Sequence, residues 1–463
     1  MRLRCSVLNR CGLVPSSQRK YNFNVYFLYS LTLLGALLLS LPWWLVQMLR
    51  LGKYRTGLRE RLGKVPQRLL GANANTIWIH AVSVGEVQAI SRLAEELKQQ
   101  LPGWRIVVST ATDTGQKLAR QRFGEGNVFY APLDLPFAVR PYLQTLQPKL
   151  LLLAESEFWP NLLHLSKLAG AKIAVVNARV SDRSLPRYKL VRKLLAAVLR
   201  NVDLFLAQSK ADARRLVAIG APAARMCVTG NLKFELNPAA DTPVAGQLAA
   251  ALRAHGIRPV LVAGSTLPGE EDILLPMFRA VVARHPGILL LLAPRHPERF
   301  DAVASLLASS GVRFQRRSQW NGHTLPAGSV FLLDSIGELS SLYRFADLAF
   351  VGGSLVPRGG HNVLEAAQYG VPILVGPHTE NFRQIVRIFQ AAGALRVVGR
   401  ESLTATVLQL LSNEPQRKEM GERASQTLQG QQGATARTLE VLLKLLPEKH
   451  TRAAVGAASE EPA

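Results

Sequence analysis

The residues best suited to chemistry in this 463-residue chain fall where its apolar runs end. The segment from Val351 to Phe382 reads as strand, glycine-rich loop, helix and strand, with Arg358, His361, His378, Glu380 and Asn381 crowded into its turns. A short apolar run, Asp347 to Gly352, ends at paired glycines, and Asn362 is expected to open a helix. Free backbone N–H groups and the positive end of a helix dipole at such a point would face an anion, most naturally a nucleotide phosphate. A plainer reading competes, in which Asn362 and Glu365 form an N-x-x-E cap and the glycines only turn the chain.

Six further loops show the same crowding: His80-Ala-Val-Ser83-Val-Gly85-Glu86, Glu155-Ser-Glu157-Phe-Trp159-Pro-Asn161, Asn177-Ala-Arg179-Val-Ser181, Gly264-Ser-Thr266, Pro294-Arg295-His296-Pro-Glu298-Arg299 and Asp334-Ser-Ile336-Gly337-Glu338. Ser83-x-x-Glu86 and Ser335-x-x-Glu338 also match capping boxes. Glu155 follows the buried-type run Leu150 to Leu153, where a carboxylate must be paired, and a salt bridge to Arg179 would suffice. His80 and His164 have no metal-ligand spacing and no D-x-D sequence occurs, so neither a metal nor another cofactor is expected.

The elements that must position these loops are strands at Ile77 to Val82, Arg105 to Thr110, Asn127 to Ala131, Leu150 to Ala154, Lys172 to Asn177 and Asp203 to Ala207. After the Pro- and Ala-rich stretch Asn237 to Gly246 a second series begins: Pro259 to Gly264, Ile288 to Ala293, Val330 to Asp334, Asp347 to Gly352 and Pro372 to Val375. Apolar runs alternating with helical stretches argue parallel sheets covered on both faces, an α/β class with two Rossmann-like domains facing a cleft. Ligands of such sheets sit beyond the carboxyl ends of the strands, where the polar loops are. The boundaries implied are a basic extension 1–22, an apolar segment 23–49, domains at 50–236 and 259–447, a linker 237–258 and a disordered tail 448–463.

A formal charge of +24, spread along the chain, calls for anionic partners. No aromatic-plus-basic motif or zinc-spaced cysteine set is present, so nucleic acid is not expected; a phospholipid surface or a phosphorylated substrate remains. Cys5, Cys11 and Cys227 lack C-x-x-C spacing and suit a reducing compartment. Phe23 to Leu49 carries no charge and is long enough to cross a bilayer, while Trp43 and Trp44 suit an interfacial belt rather than a cleavage site. Pro42 leaves open a helix that enters one leaflet only. Arg50, Lys53, Arg55, Arg59, Arg61, Lys64 and Arg68 follow the segment, against Arg2, Arg4, Arg10, Arg19 and Lys20 before it, which places the bulk of the chain on the cytoplasmic side.

In order, the Tyr54-Arg55 and Glu60-Arg61 region, HAVSVGE, ESEFWPNL, NARVS, TGNLKFE, PRHPERF, DSIGEL and FVGGSLVPRGGHNVLEAA with GPHTENF make the chain resemble the Kdo transferases of lipopolysaccharide biosynthesis, membrane-associated glycosyltransferases of the GT-B fold. The resemblance runs from about Tyr54 to Pro447. It implies transfer of 3-deoxy-D-manno-octulosonic acid (Kdo) from CMP-Kdo to a lipid A precursor at the bacterial inner membrane, with inversion and release of CMP. By the same resemblance Glu86 is the general base, and Glu155 and Lys233 support the transition state. CMP would be held by Pro294 and Arg295, by Ile336, Gly337 and Glu338, and by Asn362, Val363, Leu364 and Glu365. Arg295 suits a phosphate or carboxylate and Glu365 paired ribose hydroxyls. Two departures stand out: Pro268, where many relatives place a histidine, and a longer, more basic N-terminal extension. A GT-B transferase using a UDP sugar, or a membrane scaffold that keeps only the fold, are the alternatives.

Overall fold

The structure, a computed structural model, describes residues 16–51, 56–71, 75–181, 184–235, 242–322 and 324–446. Tyr54 and Arg55, residues 1–15 of the basic extension, the start of the linker and the tail 448–463 lie outside the described residues.

The apolar runs form two parallel sheets. In the first unit the strands are β1 (Thr76–His80), β2 (Arg105–Thr110), β3 (Val128–Tyr130), β4 (Pro148–Ala154), β5 (Lys172–Ala178), β6 (Leu204–Ala207) and β7 (Met226–Val228), ordered β3-β2-β1-β4-β5-β6-β7. In the second they are β8 (Val260–Thr266), β9 (Leu289–Pro294), β10 (Phe314–Arg316), β11 (Ser329–Leu332), β12 (Leu348–Val351), β13 (Ile373–Val375) and β14 (Leu395–Val397), ordered β10-β11-β9-β8-β12-β13-β14. Burial on both faces explains the unbroken apolar runs. In β4, Leu151 and Leu153 join a core with Trp78, Phe129 and Tyr142, while Leu150 and Leu152 join Ile77, Ile79 and Val108 on the opposite face. Three strands, β7, β10 and β14, have no counterpart in the sequence reading. Each is three residues long at a sheet edge and is incompletely buried, so no apolar run announces it.

The first unit takes the chain up to Glu235 and again from Gln432, so the second unit ends at Gln431 rather than at 447. The helix Ala434–Leu443 buries Ala434, Leu439 and Leu442 in the first unit's core beside Ile90, Leu93 and Leu97, and Arg437 Nε donates to Thr229 O at 2.9 Å.

The helix Ser16–Leu51 runs unbroken through Pro42. Its stretch Val25–Trp44, of mean hydropathy 1.8, is long and apolar enough to cross a membrane by length and composition, and almost all of it lies outside the core. Tyr26 and Ser30 of this helix dock on the first unit. Tyr26 stacks on His164 with centroids 3.9 Å apart and accepts a hydrogen bond from Asn201 Nδ2 at 2.7 Å, while Asn161 Nδ2 donates to Ser30 Oγ at 3.0 Å. Asn161 is itself held by Asp134, whose carboxylate accepts the N–H groups of Asn161 (3.1 Å) and Leu162 (2.7 Å).

Candidate functional site

Strand order reverses between β1 and β4 in the first sheet and between β8 and β12 in the second, and at such switch points the loops part to leave a crevice. Glu86, Glu155 and the Asn362–Glu365 turn follow the strands that border these points, whereas Lys233 follows the edge strand β7, Arg295 follows β9 and Ile336 to Glu338 follow β11.

In the first unit Glu86 sits in the first turn of the helix Val84–Gln100 and is only 7% exposed. Its Oε2 accepts Val82 N–H at 2.8 Å and its Oε1 accepts the Ser83 hydroxyl at 2.8 Å. The capping box is thus present in altered form, since Ser83 gives its hydroxyl hydrogen to the glutamate and caps no backbone group itself. Burial, with the charges of Glu157 and Glu155 adding to it, pushes the Glu86 carboxyl up to about 7, while the two hydrogen bonds hold it back.

Across the switch point Glu155 takes the expected Arg179 and, in addition, Lys233. Lys233 Nζ lies 2.6 Å from Oε1 and Arg179 Nε 3.0 Å from Oε2. Glu155 and Asn177, at the ends of neighbouring strands, have φ of 56° and 54°, a left-handed conformation that is costly for a glutamate and marks a position fixed by its surroundings. Asn177 is fully buried, and its Oδ1 accepts Leu232 N–H at 2.9 Å, which holds the short turn Leu232–Phe234 that carries Lys233. Glu157 accepts Trp159 Nε1–H at 3.0 Å, and burial raises its carboxyl. His80 is fully buried, edge-on to Trp159 and 2.9 Å from Ser109 Oγ; burial pushes it down to about 3, which makes it a neutral packing group. A groove of about 490 Å³ lined by Lys98, Trp104, Arg105 and Arg122 shares no residue with this cluster.

In the second unit Pro294 ends β9 and the exposed Arg295 follows, its N–H bonded to Thr266 O at 3.0 Å. Among the described residues no hydrogen bond or ion pair engages its guanidinium, yet its charge acts on both His361 and Glu365. His361 is pushed down to about 4 by burial, then by Arg295 and His296, and Glu365 is pushed up by burial against the opposing effects of Asn362 and Arg295. Ile336 and Gly337 are exposed, whereas the Glu338 carboxylate is taken by Arg317 at 3.1 Å and by the Ser335 hydroxyl.

The expected backbone anion site is built differently. The plainer reading holds only in altered form: Val363 is the N-cap, and Asn362 before it accepts Leu364 N–H on Oδ1 at 3.1 Å and donates Nδ2–H to Glu365 Oε1 at 3.3 Å. The helix it opens, Leu364–Ala367, is a single turn and carries little macrodipole. The N–H groups of Gly353, Ser354 and Leu355 are already engaged by the buried Glu270 carboxylate. Glycines are required here for close approach, since a Cβ on Gly352 would lie 2.8 Å from Glu270 Oε2 and 2.6 Å from Ser265 O. An anion at this loop therefore relies on side chains and on the turn Asn362–Glu365, not on the glycines.

The first unit thus brings together Glu86, Glu155 and Lys233, and the second brings together Arg295, Asn362 and Glu365. Residues 56–236 match the family described as 3-deoxy-D-manno-octulosonic-acid transferase (kdotransferase), and residues 263–427 match glycosyl transferases group 1. The 3-deoxy-D-manno-octulosonic acid transferase of Haemophilus influenzae is 38% identical over 84% of this chain and 91% of its own length. That of Bordetella pertussis is 37% identical over 84% and 92%. The chain belongs to the Kdo transferase family. It is an enzyme, a CMP-Kdo-dependent glycosyltransferase of lipopolysaccharide biosynthesis. The fold agrees: UDP-GlcNAc 2-epimerase from Neisseria meningitidis, 14% identical, aligns over 80% of this chain and 100% of its own with a TM-score of 0.51, a likeness of GT-B-type architecture alone.

Within this Kdo transferase, two groups at the strand ends escaped the sequence reading. Asn177 was read only as part of NARVS, and its role in holding Lys233 depends on a contact 55 residues away in sequence. Glu270 and Glu271 stand in a segment read only for Pro268; adjacent carboxylates just after a strand end and a Pro-Gly turn were the available signal.

Proposed function

We propose that this Kdo transferase moves Kdo from CMP-Kdo to a lipid A precursor of the lipid IVA type, inverting the anomeric carbon and releasing CMP. The observation that carries the reading is Glu86, a buried carboxylate at a switch point whose pKa of about 7 suits proton abstraction at neutral pH. Glu86 takes the proton of an acceptor hydroxyl, and the hydroxyl oxygen bonds to the anomeric carbon. The bond from that carbon to the CMP phosphate oxygen breaks, and its electron pair leaves on the phosphate. Lys233 and Arg179 carry two positive charges against the one of Glu155, an excess suited to the charge that builds on the leaving group.

The nucleotide lies in the second unit, against Pro294 and Arg295, Ile336 to Glu338, and Asn362 to Glu365. Arg295, whose fork no described side chain fills, takes the phosphate. The exposed Ile336 offers the base an apolar face, and Glu365 faces ribose hydroxyls.

The acceptor is a lipid in the bacterial inner membrane, reached from the cytoplasmic side. Support comes from the apolar helix and from two basic and apolar strips on the first unit. In one, Leu190 is 87% exposed and Val191 and Leu194 are also exposed, interleaved with exposed Arg192 and Lys193; its helix, Arg192–Leu199, packs near Tyr26 through Ala197 O. In the other, exposed Leu58 and Leu62 alternate with exposed Arg59 and Lys64. Arg61 and Arg68 are not part of it, because they bond to Ala111 O (2.7 Å) and Val128 O (3.0 Å) of their own unit.

The test is CMP release from CMP-Kdo by the detergent-solubilised protein, with and without a tetraacylated lipid A precursor, the lipid product being weighed by mass spectrometry. Lipid-dependent release with a Kdo mass increment is expected. CMP binding without release in the presence of that lipid would reject the acceptor.

A further inference from the structure

Glu270 is wholly buried, and no ion pair to it occurs among the described residues. It occupies the N-cap position of the helix Glu271–Val282 but gives its side chain nothing to cap there. Instead its two oxygens accept four backbone N–H groups. Oε2 takes Leu267 at 2.9 Å and Gly353 at 2.6 Å, and Oε1 takes Ser354 and Leu355, both at 2.9 Å. Four donors on two oxygens fill a carboxylate's acceptor capacity about as fully as backbone can. The sequence prepares the placement. Leu267-Pro268-Gly269-Glu270 closes a turn with Glu270 N–H on Leu267 O at 3.0 Å, proline at its second position and Gly269 at φ 92° at its third, the form of a type II turn. Pro268, the departure noted in the sequence, thus helps to aim Glu270 under the loop after β12.

Its neighbour Glu271, 1% exposed, faces the other way. It accepts the Thr266 hydroxyl at 2.7 Å and a two-pronged Arg299 guanidinium at 3.0 and 2.8 Å, and Arg299 also donates to Thr266 O at 3.1 Å. The two carboxylates therefore fix two loops from one helix start. One loop runs from Gly352 through Gly360, whose N–H bonds Gly353 O at 2.8 Å, to Asn362 and Glu365; the other carries Arg295 and ends at Arg299.

We propose that Glu270 and Glu271 are positioning residues that set the span between Arg295 and the Asn362–Glu365 turn, across which the nucleotide of the donor is held. The inference rests on the placement of CMP in the second unit given above. Glu270 fills the loop's N–H nest from within the fold, so the donor's own anionic groups stay out of the glycines and meet Arg295 instead. Neither carboxylate touches the reacting atoms.

Glu270→Gln tests the idea with no change in size. It turns one oxygen into an NH2 group that faces two N–H donors, which loosens the loop. Titration of the detergent-solubilised full chain with CMP by calorimetry is expected to show a dissociation constant about ten- to a hundredfold higher at unchanged stoichiometry, the size of one lost hydrogen bond to a charged group. The KM for CMP-Kdo should rise with it while the KM for lipid stays put. A merely structural role would lower the melting temperature and the folded fraction, and the molecules still folded would bind CMP as the wild type does; that result overturns the proposal. If wild-type protein itself fails to bind CMP, the nucleotide placement fails, not the positioning role alone. Should the Gln variant not fold, Glu270→Asp keeps the charge on a shorter stem: weaker CMP binding at full stoichiometry supports the proposal, and wild-type affinity overturns it. A third readout is Glu270→Ala titrated with formate, where recovery of CMP affinity, absent with chloride at equal ionic strength, is expected because a small carboxylate refills the nest.

Discussion

Glu86 and Glu270 stand at similar places in two similar sheets, each just past the first strand of its sheet in the chain, which borders the switch point, and each nearly or wholly buried. They differ in their donors. Glu270 receives four backbone N–H groups, two on each oxygen, whereas Glu86 receives one N–H and one hydroxyl and has two further carboxylates for neighbours. Burial alone disfavours a charged carboxylate, and hydrogen bonds to the charged form are what reverse that preference. The comparison teaches that a buried carboxylate whose acceptor positions are filled by backbone serves its loop, whereas one with positions left open, as on Glu86, can meet a substrate hydroxyl.

The largest expected effect breaks that comparison at Glu86. Glu86→Gln should lower kcat by roughly 10²- to 10⁴-fold, the usual contribution of a general base, with CMP affinity unchanged. The pH dependence carries the sign. The base works as a carboxylate and its pKa is raised to about 7, so kcat/KM should be full above 7 and fall about tenfold per unit as pH drops below it. The Gln variant should lose that limb. A limb centred near the ordinary 4.5 would remove Glu86 from the proton transfer.

Next comes the charge cluster across the same crevice. Lys233→Met leaves Glu155 to Arg179 alone, and kcat should fall about 10²-fold, as when one preorganised donor to developing charge is removed, with a smaller change in KM. A pure KM effect would show that Lys233 binds ground-state donor instead. In the second unit Arg295→Gln should do the reverse, raising the KM for CMP-Kdo about tenfold or more, because a hydrogen bond to a charged group is worth about 1.5–3 kcal/mol. Steady-state kinetics with each substrate varied in turn separates the two cases.

How far the sequence reaches can be judged from the same residues. The central strands were legible because burial on both faces makes them apolar runs, as in Leu150 to Leu153, and the residues at their ends were legible as breaks in those runs. Edge strands such as Phe314–Arg316 were not, since pairing on one side only leaves no pattern. The return of Ala434–Leu443 to the first unit was hidden for a different reason: its apolar face says that it packs, not on what. The loop after β12 is marked in the sequence by its glycines, but the N–H groups expected to face an anion are those of the helix after Asn362, not those of Gly353, Ser354 and Leu355. That the acceptor of the latter is Glu270, 83 residues upstream of Gly353, is a tertiary fact that no local spacing encodes.

The smallest expected effect distinguishes two kinds of arginine within one short segment. Arg59 and Lys64 are exposed beside exposed Leu58 and Leu62, while Arg61 bonds Ala111 O and lies 4.6 Å over the Tyr130 ring. A basic side chain near an anionic lipid surface contributes about 1 kcal/mol, so Arg59→Gln with Lys64→Gln should raise the KM for lipid several-fold and leave that for CMP-Kdo alone. Because surface charges are screened over roughly 10 Å at 0.1 M salt, the difference from wild type should shrink as salt is added. Arg61→Gln should instead lower the melting temperature with no such salt dependence, since it removes a bond and a cation–π contact inside the unit. Equal effects of the double variant on both substrates, or a penalty that salt does not touch, would mean that this strip serves the fold of the first unit and not its approach to the bilayer.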